Sequence, residues 1–72
     1  MAKWYGQALD GDRVKALRQE RSLSQIELAL LAGTTQATIS EIERGKRRVQ
    51  YRTTRALASA LGVEPRDLLQ RS

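Results

Sequence analysis

The chain has 72 residues, a formal net charge of +5, and neither cysteine nor histidine. A chain of this length forms one small domain that buries only about 60% of the surface of its unfolded form, so a catalytic cleft is difficult to accommodate. Without cysteine and histidine the chain lacks disulfides, the usual metal ligands and the commonest general base, and we expect no enzyme, no metal and no cofactor.

The apolar residues are mostly Leu, Ala, Ile and Val, with one Trp, two Tyr and no Phe. This composition predicts a core of thin helices in close contact. No apolar run approaches the roughly 18 residues of a membrane span. The first twelve residues, MAKWYGQALDGD, do not form a signal peptide. We therefore expect a cytoplasmic protein, nucleoid-associated in a bacterium or encoded by a phage, with no membrane partner.

Helix one is predicted from Asp12 to about Glu20. Val14 and Leu17 recur there at helical spacing, and Asp10 or Asp12 is suited to the amino-terminal cap.

Helix two is predicted to begin at Ser24. Ser24 and Glu27 are three residues apart and form a capping box, in which each side chain satisfies the other residue's free backbone amide. Gly33 is expected to end this helix because glycine adopts the left-handed conformation at little cost. Thr34 or Thr35 can then cap a third helix.

Helix three runs through Ile39 and Ile42 to Glu43 or Arg44, and Gly45 ends it. Two short helices joined by a three- or four-residue turn with glycine form a helix-turn-helix unit. The first turn of helix three carries small uncharged polar groups, where a surface helix usually carries Lys or Glu. This pattern indicates a face turned toward neither the core nor plain solvent.

Helix four is predicted in TTRALASALG, with Thr53 or Thr54 as its cap and Gly62 as its end. Pro65 then opens helix five, because its missing amide hydrogen is no loss in a first turn.

Together these elements predict an all-α fold. It is a compact five-helix bundle over residues 12–72, with an amino-terminal extension over residues 1–11 that receives no element.

The positive charge is concentrated in one segment. Six of the thirteen basic residues lie in the twelve positions 44–55, which contain no acid, and the other sixty positions carry seven bases and eight acids. A local patch of this sign favours a polyanionic partner, and a solvated basic loop is the alternative. The six residues are Arg44, Lys46, Arg47, Arg48, Arg52 and Arg55.

The segment QIELALLAGTTQATISEIER, Gln25 to Arg44, resembles the twenty-residue helix-turn-helix element of the phage repressor and Cro type, the XRE family. The likeness extends through RVKALRQERSLSQ and RALASALGV and covers about fifty of the 72 residues. The resemblance implies a lambda-repressor-like DNA-binding fold whose third helix enters the major groove of double-stranded DNA.

The resemblance then implies which residues read bases. Gln36 is the first candidate, because its amide can both donate to and accept from adenine, and Ala37 can touch a thymine methyl group. Glu41 can accept from a cytosine amino group, or else it is a repelled surface acid or a partner of Arg44 or Arg48. Ser40 lies on the same predicted face.

Other residues are assigned by the resemblance to the sugar-phosphate backbone. Gln25 is expected to contact a phosphate at the start of helix two and to brace Gln36, with an ordinary surface residue as the alternative. Such contacts set register and most of the affinity rather than sequence preference. The remaining candidates are Thr35, Lys46, Arg47 and Arg48, with Arg44 and Arg52 as additions; the loop over residues 46–52 looks slightly longer than in related repressors.

The resemblance also implies an ion pair between Arg18 of helix one and Glu43 of helix three. Such a pair would orient the third helix, whereas two exposed and unrelated charges would contribute little.

Helix two departs from the family pattern at Leu30 and Leu31. With Ile26 one turn before Leu30, it can present an apolar stripe on its outer side. We hypothesise that Trp4, Tyr5 and Leu9 of the extension fold over Ile26 and Leu30. A disordered tail beside scattered surface leucines is the alternative.

These features predict a sequence-specific DNA-binding transcription regulator acting as a homodimer on a near-palindromic site. The dimer candidates are Val63, Pro65, Leu68 and Leu69, with at least one of the two leucines expected in the core. Three alternatives stay open: an antitoxin that binds a toxin through Leu30 and Leu31 or the Trp4 region, the DNA-binding part of a longer regulator with a sensor domain, and a helical adaptor without DNA.

Overall fold

The computed structural model describes residues 6–70, which form four α-helices, a short 3-10 helix and two short strands. The prediction of an all-α bundle of five helices is therefore corrected to a mostly helical fold with a small two-stranded sheet. The elements are β1 (Gln7–Ala8), α1 (Gly11–Glu20), α2 (Gln25–Ala32), α3 (Gln36–Glu43), β2 (Arg48–Val49), α4 (Tyr51–Leu61) and the 3-10 helix (Pro65–Leu68).

The first three helices begin at the residues that capping chemistry favours. Asp10 caps α1 by accepting the Arg13 N–H at 3.1 Å. Ser24 and Glu27 form the predicted capping box, with bonds of 3.0 and 2.8 Å. Thr35 caps α3, and its hydroxyl accepts from the Thr38 N–H at 3.2 Å. Each bond satisfies an amide that has no partner inside its helix.

Glycine ends α2 and α4 as predicted. Gly33 has φ +70° and Gly62 has φ +73°, in the left-handed region that a residue with a Cβ rarely adopts. Gly33, Thr34 and Thr35 form the three-residue turn between α2 and α3.

The predicted cap of α4 at Thr53 or Thr54 is wrong. The helix begins at Tyr51 after Gln50, which makes no side-chain capping bond. Thr54 lies inside the first turns of the helix and is fully buried, and its hydroxyl donates to Gln7 Oε1 at 2.8 Å. The sequence pattern suggested a cap because it could not show that residue 7 supplies this bond.

The predicted fifth helix is a single 3-10 turn over Pro65–Leu68. The chain leaves it in an extended conformation at Leu69, which bridges Leu9, and the Gln70 N–H donates to Ala8 O at 2.9 Å. These bonds to the amino-terminal segment replace the ones that a longer helix would make.

Residues 7–10, assigned by sequence to an extension, pack on the folded body. β1 pairs antiparallel with β2, with Gln7 opposite Val49 and Ala8 opposite Arg48. Leu9 is 4% exposed and belongs to the main core. The strand therefore ties the start of the described chain to the basic loop between α3 and α4.

The core combines side chains from every helix and from β2. Burying each large aliphatic side chain contributes about 1.5–3 kcal/mol relative to leaving it in water. Its members are Leu9, Val14, Leu17, Leu28, Ala29, Ile39, Ile42, Val49, Leu57, Ala58, Leu61 and Leu68.

The hypothesised cover over α2 is only partly within the described chain, since Trp4 and Tyr5 lie outside residues 6–70. Its third member, Leu9, is in the main core instead. Ile26 and Leu30 are 55% and 76% exposed, and Leu31 is exposed beside them. The outer side of α2 is thus an exposed apolar face.

The amino terminus of α1 lies directly against the last turn of α3. A Cβ added at Gly11 would lie 2.4 Å from Ile42 O and 2.5 Å from Glu43 O, both backbone atoms. Only glycine permits this approach, which brings the two helices close enough for Arg18 of α1 to reach Glu43.

Candidate nucleic-acid interface

The turn between α2 and α3 places the start of α3 at the surface. Leu28 and Ala29 of α2 are buried together with Ile39 and Ile42 of α3. Positions 36 and 37 lie in the first turn of α3 and away from this stripe, so Gln36 and Ala37 are exposed.

Arg18 and Glu43 form a buried, bidentate ion pair between α1 and α3. Arg18 Nε lies 2.6 Å from Glu43 Oε2 and Nη2 lies 3.1 Å from Oε1. Arg18 Nη1 also donates to Leu23 O at 2.8 Å, so the guanidinium is satisfied on both sides. A planar bidentate contact of this kind fixes the relative orientation of the two side chains and also strengthens their attraction.

The hydrogen bond to Glu43 raises the pKa of Arg18 above its already high ordinary value; burial opposes this shift, and the charge of Glu43 supports it. Because the folded-state pKa is raised, the stabilisation from this group is complete below the unfolded-state pKa. It would be lost only as the pH rose through the folded-state value. Arg18 is therefore charged throughout neutral conditions.

Two glutamines continue this network to the surface. Gln25 Nε2 donates to Glu43 Oε1 at 3.1 Å, and Gln36 Nε2 donates to Gln25 Oε1 at 3.4 Å. A carboxylate only accepts hydrogen bonds, so Gln25 must turn its amino group to Glu43 and its oxygen to Gln36. Gln36 must in turn offer an N–H to Gln25.

The direction of this network fixes what Gln36 presents to a ligand. Its amide has two N–H groups and one oxygen, and one N–H is used by Gln25. One N–H and the oxygen remain for an outside partner. A donor beside an acceptor is the pair that matches N7 and the amino group of adenine.

The second half of the exposed side of α3 adjoins the basic loop. Ser40 and Glu41 are half-buried, and the exposed Arg44 lies one turn after Ser40 and donates from Nε to its carbonyl oxygen at 3.4 Å. Glu41 Oε1 lies 2.7 Å from Arg47 Nη1. Arg44 and Arg48 were the partners expected for Glu41, and the structure pairs it with Arg47 instead.

The basic rim, defined as Lys46, Arg47, Arg48 and Arg52, is exposed and runs from the segment after α3 to the first turn of α4. Arg48 differs from its neighbour Arg47, because its Nη1 donates to Gly6 O at 2.9 Å. The exposed Thr35 lies at the opposite end of α3, where it caps the helix.

Several features of this surface were missed by sequence reasoning. The strand pairing of residues 7–8, the bond from Gln25 to Glu43 and the close contact at Gly11 all join positions far apart in the chain. Gly11, beside the cap Asp10, was the only one with a local signal, since glycine in a first helical turn often marks close packing.

The dimer candidates lie apart from α3. Val63, Pro65 and Leu69 are half-buried; Val63 and Pro65 line one shallow groove beside α4, and Pro65 and Leu69 line a second. Leu68 is fully buried and belongs to the core, so it is not available to a partner.

Two further observations concern the described residues. No three acidic, histidine or cysteine side chains among them come together as a metal-binding group. None of their helices has the length and apolar character needed to cross a bilayer.

Comparison with known proteins gives the same picture as this geometry. The helix-turn-helix family profile matches residues 14–68. The control protein C.BamHI of Bacillus amyloliquefaciens is 40% identical over 62 residues, covering 85% of this chain and 76% of its own length. The immunity repressor of Bacillus phage phi105 is 39% identical over 54 residues, which is 75% of this chain but 38% of the repressor. The chain thus spans well under half of that repressor.

Solved structures are similar along most of the chain. The restriction-modification controller C.AhdI of Aeromonas hydrophila has a TM-score of 0.77 and 41% identity, over 82% of this chain and 86% of the controller. The P22 c2 repressor, solved in complex with a synthetic operator, has a TM-score of 0.82 and 31% identity, over 86% and 94%. The chain therefore belongs to the helix-turn-helix family of the phage repressor and Cro type, the XRE family.

Proposed function

We propose that this protein is a sequence-specific transcription regulator that inserts α3 into the major groove of double-stranded DNA. The observation that carries the proposal is the network from Arg18 through Glu43 and Gln25 to Gln36, which fixes an exposed amide at the start of α3. The solved structure of P22 c2 with its operator supports this mode of binding.

Base reading is assigned to the exposed side of α3. Gln36 presents a donor and an acceptor that suit adenine, and the exposed methyl of Ala37 suits the methyl group of thymine. Ser40 can donate or accept, and Glu41 keeps an oxygen that can accept from cytosine.

Phosphate contacts are assigned to the ends of α2 and α3 and to the basic rim. Gln25 is the first residue of α2, where free backbone amides and the helix dipole favour an anion. Thr35 and Arg44 flank α3 at its two ends, and the basic rim continues this line along the edge. These groups supply affinity that is independent of sequence.

Dimerisation completes the proposed function, because one such domain reads only a few base pairs. A two-fold dimer places paired helices about 34 Å apart, one turn of DNA. Val63, Pro65 and Leu69 are half-buried and line two adjacent shallow grooves beside α4 that share Pro65, which supports this surface as the contact.

Selection of bound sites from a random duplex pool tests the proposal. We expect a motif with two-fold symmetry. A protein that contacts ~6 phosphates should lose about a thousandfold in affinity between roughly 50 and 200 mM salt. Absence of any enriched motif, together with affinity that does not fall with salt, would contradict the proposal and favour an adaptor that does not bind DNA.

A second candidate adds a protein partner to DNA binding. Ile26, Leu30 and Leu31 expose an apolar face on α2 that no described residue covers, as expected for an antitoxin that docks a toxin or for part of a longer regulator. Changing Leu30 and Leu31 to Gln should leave DNA binding intact. If the face docks a partner, the pair of changes should abolish complex formation with proteins co-purified from the native host.

A further inference from the structure

The exposed ion pair between Glu41 and Arg47 joins the predicted base-reading side of α3 to the basic rim. Arg47 Nη1 lies 2.7 Å from Glu41 Oε1, and the two side chains are 47% and 40% exposed. Exposed pairs of this kind contribute at most about 1 kcal/mol to stability. Stability alone therefore does not give this pair a role.

Arg47 and Arg48 have the same charge and are adjacent in sequence, yet they make different contacts. Arg48 lies in β2 and donates to Gly6 O at 2.9 Å, beside β1. Arg47 immediately precedes the strand and reaches Glu41 on α3. The pairing of β2 with β1 holds Arg48 beside β1, and Arg47, one residue before the strand, is the arginine that reaches α3.

The contact with Arg47 occupies one of the two carboxylate oxygens of Glu41. Arg47 occupies Oε1, and within residues 6–70 no other side chain donates to this carboxylate. Oε2 therefore keeps its accepting capacity. The guanidinium also offsets a negative charge that phosphates would otherwise repel. Arg44 and Lys46 follow Glu41 closely in the chain, and the Lys46 N–H donates to the backbone oxygen of Glu41 at 2.9 Å.

We infer that Arg47, assigned above to phosphate with the rest of the basic rim, is instead a specificity-determining residue that positions Glu41 to accept a hydrogen bond from the amino group of cytosine. Glu41 touches the base, and Arg47 acts through Glu41. This inference rests on the proposed function, since it names the base that the same surface selects.

The test compares Arg47→Ala with the matched control Arg48→Ala. Affinities of the full chain are measured for the selected site and for its single-base variants, over a range of salt. Removing Arg47 should lower the discrimination for cytosine at one position of each half-site roughly tenfold, within the range of a good base contact. Removing Arg48 should weaken all sites equally and lower the salt slope by about 1.

Glu41→Ala supplies the second arm of the test. It should abolish the same cytosine preference, and adding Arg47→Ala to it should cause no further loss of discrimination. Thermal unfolding of each variant establishes that it is folded.

The outcomes separate this inference from the proposed function. If the wild-type chain selects no motif, the proposed function fails. If it selects a motif but Arg47→Ala weakens every site equally, as Arg48→Ala does, then Arg47 is a phosphate contact and the inference is overturned. A motif without cytosine under Glu41 would overturn it as well.

Discussion

The two ion pairs of α3 have almost the same length but lie in different surroundings. Arg18 and Glu43 are joined at 2.6 Å with side chains 11% and 4% exposed, whereas Glu41 and Arg47 are joined at 2.7 Å with side chains about half exposed. Water and salt weaken the exposed pair, and a partner left alone there is simply hydrated. A partner left alone in the buried pair is an uncompensated charge. Burial, not distance, decides which pair holds the fold.

Breaking the buried pair should have the largest effect. Arg18→Ala leaves the Glu43 carboxylate buried without its charged partner, and we expect it to cost about 3–5 kcal/mol of unfolding free energy. DNA affinity should fall with it, because the network to Gln36 loses its anchor. Urea denaturation and a mobility-shift assay measure the two quantities.

Arg21→Ala is the matched control, since Arg21 contacts the exposed Glu20 at 3.6 Å and donates to Leu17 O at 3.1 Å, and its loss leaves no charge buried alone. It should change stability by no more than about 1 kcal/mol. Replacing both partners, as Arg18→Met with Glu43→Leu, should restore much of the stability without restoring base preference, because Gln25 has lost its acceptor. If Arg18→Ala and Arg21→Ala were equally stable, the buried pair would not be what holds α1 to α3.

The contact that brings α1 to Glu43 can be tested separately at Gly11. Alanine normally favours a helix over glycine by about 1 kcal/mol, so a free position would be stabilised by Gly11→Ala. Here the new Cβ overlaps two backbone oxygens, and we expect destabilisation of about 1–3 kcal/mol. Ala16→Gly, at an exposed position of α1, provides the reference for propensity alone. A lower denaturation midpoint for Gly11→Ala would confirm the close contact, and a higher midpoint would contradict it.

The attachment of β1 to α4 can be weakened by changing Gln7. Gln7→Ala removes the acceptor of the buried Thr54 hydroxyl, and we expect a cost of about 1 kcal/mol. Thr54→Val removes the hydroxyl itself and leaves Gln7 half-exposed to water, so it should cost less. If thermal unfolding ranks the two variants the other way, the bond does not hold the strand.

The smallest effect on stability is expected at Gln25. Gln25→Ala removes the link between Glu43 and Gln36 while leaving the ion pair in place, so unfolding should change by no more than about 0.5 kcal/mol. Preference for adenine at the Gln36 position should fall, which site selection measures. Unchanged preference would show that Gln36 is oriented by other contacts.

Much of the fold followed from local chemistry. The Ser24 capping box, the glycines at 33 and 62 and the apolar spacing of α3 each depend on residues a few positions apart. The helices α2 and α3 begin and end as predicted, and α4 ends as predicted. The failures involve distant partners. The cap of α4 and the length of the last helix depended on bonds to residues 7 to 9, which no local pattern contains.

The features of the candidate surface likewise fall into those that the sequence predicts and those that depend on distant residues. The exposure of Gln36 could be anticipated from helical spacing, and the pair of Arg18 with Glu43 from the family resemblance. The partner of Glu41 could not, because three arginines lie within reach along the chain. The strand pairing of β2, which is non-local, separates Arg47 from Arg48.

Residues 8–10 contact residues 68–70, so the two ends of the described chain lie close together. Asp10 N–H donates to Leu68 O at 2.8 Å, Gln70 N–H donates to Ala8 O, and Leu9 bridges Leu69. A linker of a few residues would join these ends into a ring without bending a helix. By the entropy argument used for long disulfide loops, cyclisation would disfavour the unfolded chain by about 4 kcal/mol, and the contacts of α3 would be left untouched.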